Sequence, residues 1–232
     1  SFIPVIGVIS LWLSKKTLAR YTHLLVSFAV GALLGNAIIH LLPEVFAEAE
    51  RTEIVPFLVI AGILLFYLLE QFLRWHHNHE QPETAKAQSI ATMSIFGDSV
   101  HNFLDGLLIA GSFIVDPRLG WSTVLAVILH EIPQEIADIG ILFYAKWPTR
   151  KILIANILSG LIAGAGVLVG FIANNTFEAF APYSLALTAG GFIYIACTDL
   201  IPDLHQHGAE STKERLIQFC MLLLGLGLFA IL

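Results

Sequence analysis

Apolar residues in this chain form long unbroken runs. ILLFYLL (63–69) and MLLLGLGLFAIL (221–232) are apolar on every side. A membrane barrel would instead alternate apolar and polar residues in roughly ten-residue segments. A helix crosses a bilayer with roughly 20 mostly apolar residues. Polar and turn-forming breaks divide the chain into eight apolar segments at 1–14, 20–47, 54–75, 89–115, 120–145, 151–173, 179–202 and 213–232. The first is too short to cross alone. Because the sequence opens on Ser1, its start is expected inside or just before that helix, with a cleaved signal peptide as the competing reading of the absent Met. The prediction is an all-α polytopic membrane protein of eight transmembrane helices, with residues 1–232 forming a single transmembrane domain.

Composition agrees with that pattern. Hydrophobic residues make up 56% of the chain and charged residues 13%, against about a quarter charged in soluble domains. The net charge of −6 speaks against nucleic acid as a partner; lipid is the expected surrounding. Cys197 and Cys220 fall inside predicted helices with no spacing of a thiolate metal clip, and are expected to be buried structural residues.

Basic loop residues set the orientation, because positively charged short loops stay cytoplasmic. Alternate connections on one side hold Lys15, Lys16, Arg20, Arg74, Lys86, Lys146, Arg150, Lys151, Lys213 and Arg215, ten of the twelve basic residues; Arg51 and Arg118 lie on the other. Both termini are therefore expected outside, in a plasma membrane or a bacterial inner membrane. RWHHNHEQPETAK (74–86) then faces the cytoplasm. Within the histidine-bearing loop 76–88, His76, His77 and His79 form either a weak metal-binding cluster or a solvated loop with chance histidines. DLHQHGAE (203–210) reads as a solvated loop.

GALLGNAIIHLLPE (31–44) and GGFIYIACTDLIPD (190–203) echo one another at a constant offset of 159 residues. On the predicted orientation the two copies run in opposite directions. Inverted repeats with a site at their interface recur in secondary transporters, which suggests a 3+2+3 bundle with the repeats flanking the fourth and fifth segments.

Those two central segments carry the chemistry. Asp98, His101, Asn102 and Asp105 share one stripe of the fourth. In ILHEIPQEIAD (128–138), His130, Gln134 and Asp138 form one i, i+4 ladder, and Glu131 and Glu135 a second beside it. Pro133 lacks a main-chain donor and crowds the carbonyl of Leu129, so a kink there would free that oxygen. An Asp at the centre of a spanning helix costs about 2.5–3.5 kcal/mol on insertion scales, yet neither segment contains a Lys or Arg. Protons or a bound cation must supply the positive charge. The mixed imidazole, carboxylate and amide donors suit zinc, iron(II), manganese or cobalt. Lone polar residues such as Asn36, Asn156, Ser159 and Thr188 are better read as ordinary interhelical hydrogen bonds.

HNFLDG (101–106) followed one helix later by HEIPQEIAD (130–138) resembles the paired signature of the ZIP (Zrt/Irt-like) divalent metal transporters, in the branch whose fifth helix reads HExPHExGD. The resemblance covers essentially the whole chain, including HLLPE (40–44) and DLIPD (199–203). It implies uptake of Zn2+ or another divalent transition metal toward the cytosol, the metal being the transported substrate. Carried over, His101, Asn102, Asp105, His130, Glu131 and Gln134 would be the metal ligands. Asp98, Glu135, Asp138, Asn36, His40, Glu44, Asp199 and Asp203 would line the path or support it, with entry near Glu44 and His40 and exit past Asp138, Asp199 and Asp203. Homodimerisation is compatible with the family.

Two departures stand out. Gln134 replaces the family's second histidine and leaves iron, manganese or cadmium open beside zinc; Ala137 stands where glycine is usual. Some members hold a second metal with a carboxylate on the sixth helix, but ILSGLIAGAGVLVG (157–170) has none, Ala163 being the nearest match. Gly160, Gly164, Gly166 and Gly170 give that helix a small-residue face suited to close packing or sliding. The rival readings are an intramembrane zinc metalloprotease, since HEIPQ approaches HExxH, and a haem-binding bundle with His101 and His130 as axial ligands.

Overall fold

The computed structural model describes residues 15–75, 83–176, 180–207 and 211–231. Among them every regular element is helical and none is a strand. The first predicted segment and His76, His77 and His79 lie outside the described residues. In chain order the helices are α1 (Lys15–Gly35), α2 (Leu42–Glu48), α3 (Val55–Trp75), α4 (Glu83–Val115), α5 (Pro117–Tyr144), α6 (Thr149–Thr176), α7 (Phe180–Ile195), α8 (Ile201–His207) and α9 (Thr212–Ile231).

Among the described residues, three stretches are long and apolar enough to cross a membrane by length and composition: Thr22–Glu48, Thr52–Gln71 and Thr149–Thr176. At 33 and 28 residues, α4 and α5 have the length as well; the polar side chains along them lower their hydropathy. Large apolar side chains face outward, among them Phe57, Leu68, Leu161, Leu168, Ile172 and Leu224, as lipid-facing residues do.

Glycines let the helices meet backbone to backbone. A Cβ at Gly31 of α1 would overlap the Leu222 carbonyl of α9, and one at Gly225 of α9 would overlap the Phe28 carbonyl of α1. Gly62 and Gly190 do the same between α3 and α7, as do Gly106 and Gly166 between α4 and α6. Small residues at such crossings let helices pack closely where lipid supplies no hydrophobic drive. On α6, Gly166 and Gly170 meet α4, whereas Gly164 faces open space. α4 therefore has α6 on one side and α5 and α7 on others, while α5 also packs on α1.

Two π turns interrupt the bundle, Asn36–Leu41 between α1 and α2 and Ala196–Leu200 between α7 and α8. The Leu42 N–H reaches the Ala37 carbonyl in the first, and the Ile201 N–H reaches that of Ala196 in the second. Each turn precedes a proline, Pro43 or Pro202. Proline lacks an N–H and crowds the carbonyl four residues back, and a wider turn accommodates the mismatch. The last residues of the turns, Leu41 and Leu200, both prolines and the pair Gly31 and Gly190 obey the 159-residue offset.

One expectation is corrected. Cys197 and Cys220 lie in helical structure but are exposed and free. Burial of cysteine is a habit of soluble domains; where lipid surrounds the helices, a small apolar thiol can face outward.

Candidate metal centre

Helical register builds the centre. Asp98, His101, Asn102 and Asp105 on α4 are all buried, as are His130, Glu131, Glu135 and Asp138 on α5. α5 runs through Pro133 as one continuous helix.

Donor atoms of His101, Asp105, His130 and Glu131 lie within 4.8 Å of one another. The two Nε2 atoms are 3.1 Å apart. His130 Nε2 is 3.3 Å from Asp105 Oδ2 and 3.9 Å from Glu131 Oε1; His101 Nε2 is 3.6 Å and 3.7 Å from the same two atoms. Four donors held about 2.0–2.2 Å from a zinc-sized ion at tetrahedral angles would be about 3.3–3.6 Å apart. The observed separations are close to those edges, and small side-chain shifts would complete the shell.

The hydrogen-bonding pattern favours a cation. His130 Nδ1 donates to the Ala126 carbonyl at 3.0 Å, which turns Nε2 toward the cluster. Such an outer hydrogen bond commonly orients metal-ligating histidines. Both Asp105 oxygens and Glu131 Oε1 are buried without a hydrogen-bond partner. Among the described residues, their ion-pair partners are the two imidazoles. Phe66 packs edge-on against His101 and Phe192 against His130, which keeps the walls apolar.

Other candidates sit around this core. The Asn102 amide donates to the main-chain and side-chain oxygens of Asp98 at 3.0 and 3.1 Å and approaches Ser159 Oγ at 3.5 Å, so its side-chain oxygen remains as a donor. Gln134 is half-buried and lines a cavity of about 200 Å³ together with His101, Asp98 and Asp138. Glu135 is buried with Oε2 unpaired. Asn36 accepts a hydrogen bond from Ser122 at 3.1 Å. His40 and Glu44 line a separate cavity of about 600 Å³ with Asp116, Arg118, Ser122 and Leu125. The two cavities share no lining residue. Asp199 lies in the second π turn and Asp203 in α8, but their side chains are outside the described set.

Several neighbours were not singled out by sequence. Ser94 donates to Asp138, and Tyr194 of α7 donates to Glu70 of α3. Ser159 of α6 receives the Ser99 hydroxyl at 3.1 Å; its pairing matches the ordinary bond expected of it, but it also meets the site through Asn102. Nothing in local spacing pointed to the bond between Glu70 and Tyr194, which joins distant segments.

The family model for ZIP Zinc transporter matches residues 1–90 and 76–232. The chain is similar to Zinc transporter ZIP13 of Pongo abelii, 32% identical across 89% of this chain and 66% of the relative. It is likewise similar to Zinc transporter ZIP13 of Homo sapiens, 30% identical across 89% of this chain and 70% of the relative. Human Zinc transporter ZIP10 is 33% identical across 61% of this chain and 18% of its own length. The chain thus spans just under two thirds of the Pongo abelii relative's length.

Proposed function

Because this chain belongs to the ZIP zinc transporter family, we propose that it carries a divalent transition-metal ion, zinc foremost, across the membrane toward the cytosol through the centre at His101, Asp105, His130 and Glu131. The observation that carries this reading is the convergence of four buried donors from α4 and α5 whose carboxylates have only imidazoles for ion-pair partners among the described residues. A cation in their midst would relieve that uncompensated charge. Asn102 and Gln134 would add oxygen donors from the flanks, and iron(II), manganese and cadmium remain candidate cargoes because Gln134 replaces an imidazole.

The path is proposed to run from His40 and Glu44 to the centre, then past Asp138, Asp199 and Asp203. Separation of the two cavities supports alternating access: one reaches His101, whereas the other stops at Ser122 and Leu125. The matched π turns and the equivalent glycines Gly31 and Gly190 support eight spans built as inverted repeats around α4 and α5. The family is one of transporters rather than enzymes, which removes the protease reading. The haem reading leaves the buried carboxylates of Asp105 and Glu131 beside the two imidazoles without a role.

Proteoliposomes loaded with a metal-sensing dye test the proposal with zinc, manganese, iron(II) and cadmium. Metal-selective uptake by the natural chain, abolished in a folded His101→Ala, His130→Ala variant, is the expected result. Equal uptake by both proteins would overturn it.

A further inference from the structure

The turn joining α5 to α6 reads AKWPTRK (145–151) and carries Lys146, Arg150 and Lys151 within six residues. α6 is long and apolar enough to cross a membrane, so basic groups at its start lie at the level of lipid headgroups. No Asp or Glu occurs between Asp138 and Glu178. Among the described residues, none of the three basic side chains pairs with a carboxylate. Other bases are accompanied: Arg51 pairs with Glu53 at 3.1 Å, and Lys213 and Arg215 of α9 flank Glu214.

All three side chains are exposed, yet the turn that displays them is held in place. The N–H groups of Lys146 and Trp147 reach the Phe143 and Leu142 carbonyls at 2.9 and 3.1 Å. Gln88 of α4 donates to the Ala145 carbonyl and accepts the Trp147 indole N–H at 2.7 Å. Lys151 Nζ lies 3.3 Å from the centre of the same indole ring. Past the bases the outward face of α6 turns apolar in the same register. Ile154, Leu158 and Leu161 follow Lys151 at steps of three and four residues and are all exposed.

We propose that this corner binds one anionic phospholipid, its phosphate headgroup held by Lys146, Arg150 and Lys151 and an acyl chain laid along Ile154, Leu158 and Leu161. Charge and register together identify the occupant. An anionic headgroup supplies the negative charge that the surrounding sequence lacks, and each basic residue beside an anionic membrane surface gains about fivefold in affinity. A soluble anion would satisfy the charges and leave the apolar row unused. A zwitterionic lipid would use the row but bring its own cation to the three bases. Because Trp147 joins Lys151 to Gln88, a headgroup drawn onto Lys151 would also bear on the clamp between α4 and the end of α5. The inference rests on α6 crossing the membrane and does not depend on which ion the centre carries.

Native mass spectrometry tests this on the full chain released from detergent micelles that contain equal amounts of phosphatidylglycerol and phosphatidylcholine with the same acyl chains. The natural chain is expected to retain one phosphatidylglycerol in preference to phosphatidylcholine by at least about 10-fold. Lys146→Gln, Arg150→Gln and Lys151→Gln combined should abolish that preference, whereas Lys213→Gln with Arg215→Gln should keep it. Where the triple variant does not fold, Lys151→Gln alone should lower the preference about fivefold. Glycerol phosphate, which has the charge and no chains, should fail to displace the lipid at millimolar concentration. Equal retention of the two lipids, a preference that survives the substitutions at 146, 150 and 151, or one that falls as far in the α9 pair, overturns the site. Displacement by glycerol phosphate assigns the three bases to a soluble anion and overturns the lipid. No arm of the experiment contains zinc, so its failure leaves the transport reading standing.

Discussion

The two cavities differ in more than size. The larger holds a histidine and two carboxylates but also Arg118, and its floor at Ser122 and Leu125 stops short of the centre. The smaller has carboxylates without a basic residue and includes His101, a member of the centre itself. Between Leu125 and His130, α5 presents Ala126 and Val127, both buried, and one turn and a half of helix separates the two ends. A divalent ion in the larger cavity would meet a mixed field of acidic and basic groups; in the smaller it would meet the carboxylates of Glu70, Asp98 and Asp138. The comparison teaches that, of these two cavities, the smaller is the one whose wall includes a residue of the centre, His101.

The strongest test of that contrast removes the centre. His130→Ala should lower zinc flux by at least about 100-fold, since even losing a residue that merely orients a metal ligand costs about 10- to 100-fold; proteoliposome uptake checks this, with a thermal melt to confirm folding. Access comes next. With Cys197 and Cys220 replaced by serine, a cysteine substituted for His101 should react with an impermeant thiol reagent from the side of the smaller cavity and hardly at all from the other, while a cysteine substituted for Ser122 should show the opposite preference. Equal labelling of both positions from one side would break the comparison.

Selectivity should move less. Gln134→His returns an imidazole to the wall of the smaller cavity and should raise the zinc-to-manganese uptake ratio by about 10-fold, because nitrogen donors favour zinc over manganese; competition uptake with both ions measures it. The smallest change is expected in the larger cavity. Glu44→Gln removes one attracting charge there and should raise the apparent KM for zinc by about 2- to 3-fold at low ionic strength with little change in maximal rate, the difference fading as salt screens it.

The helices of the described residues and the polar stripes of α4 and α5 that turn out to be buried were legible in the sequence, for a common reason. Both depend on spacing along a single helix, so His101 and Asp105, or His130 and Glu135, could be placed on buried faces from their numbers alone. Helix ends were less legible. α4 begins at Glu83 rather than near 89, because polar residues such as Glu83 and Lys86 break an apolar run without breaking a helix. Ser94 with Asp138 and Tyr194 with Glu70 were not legible, since those pairs join different helices and the second spans 124 residues. The cysteines were misread because burial statistics from soluble proteins do not describe a lipid-facing surface.

The glycine crossings also govern how this chain can vary. Every replacement of glycine adds at least a Cβ, and at Gly31, Gly62, Gly106, Gly166, Gly190 and Gly225 that atom collides with the main chain of the neighbouring helix, which no rotamer change can relieve. Gly140, Gly164 and Gly227 have nothing within 4 Å of the same atom. Mutational drift is therefore open at the second set and closed at the first, and a variant library scored for folded protein should split the chain's glycines along that line, independent of their distance from the metal.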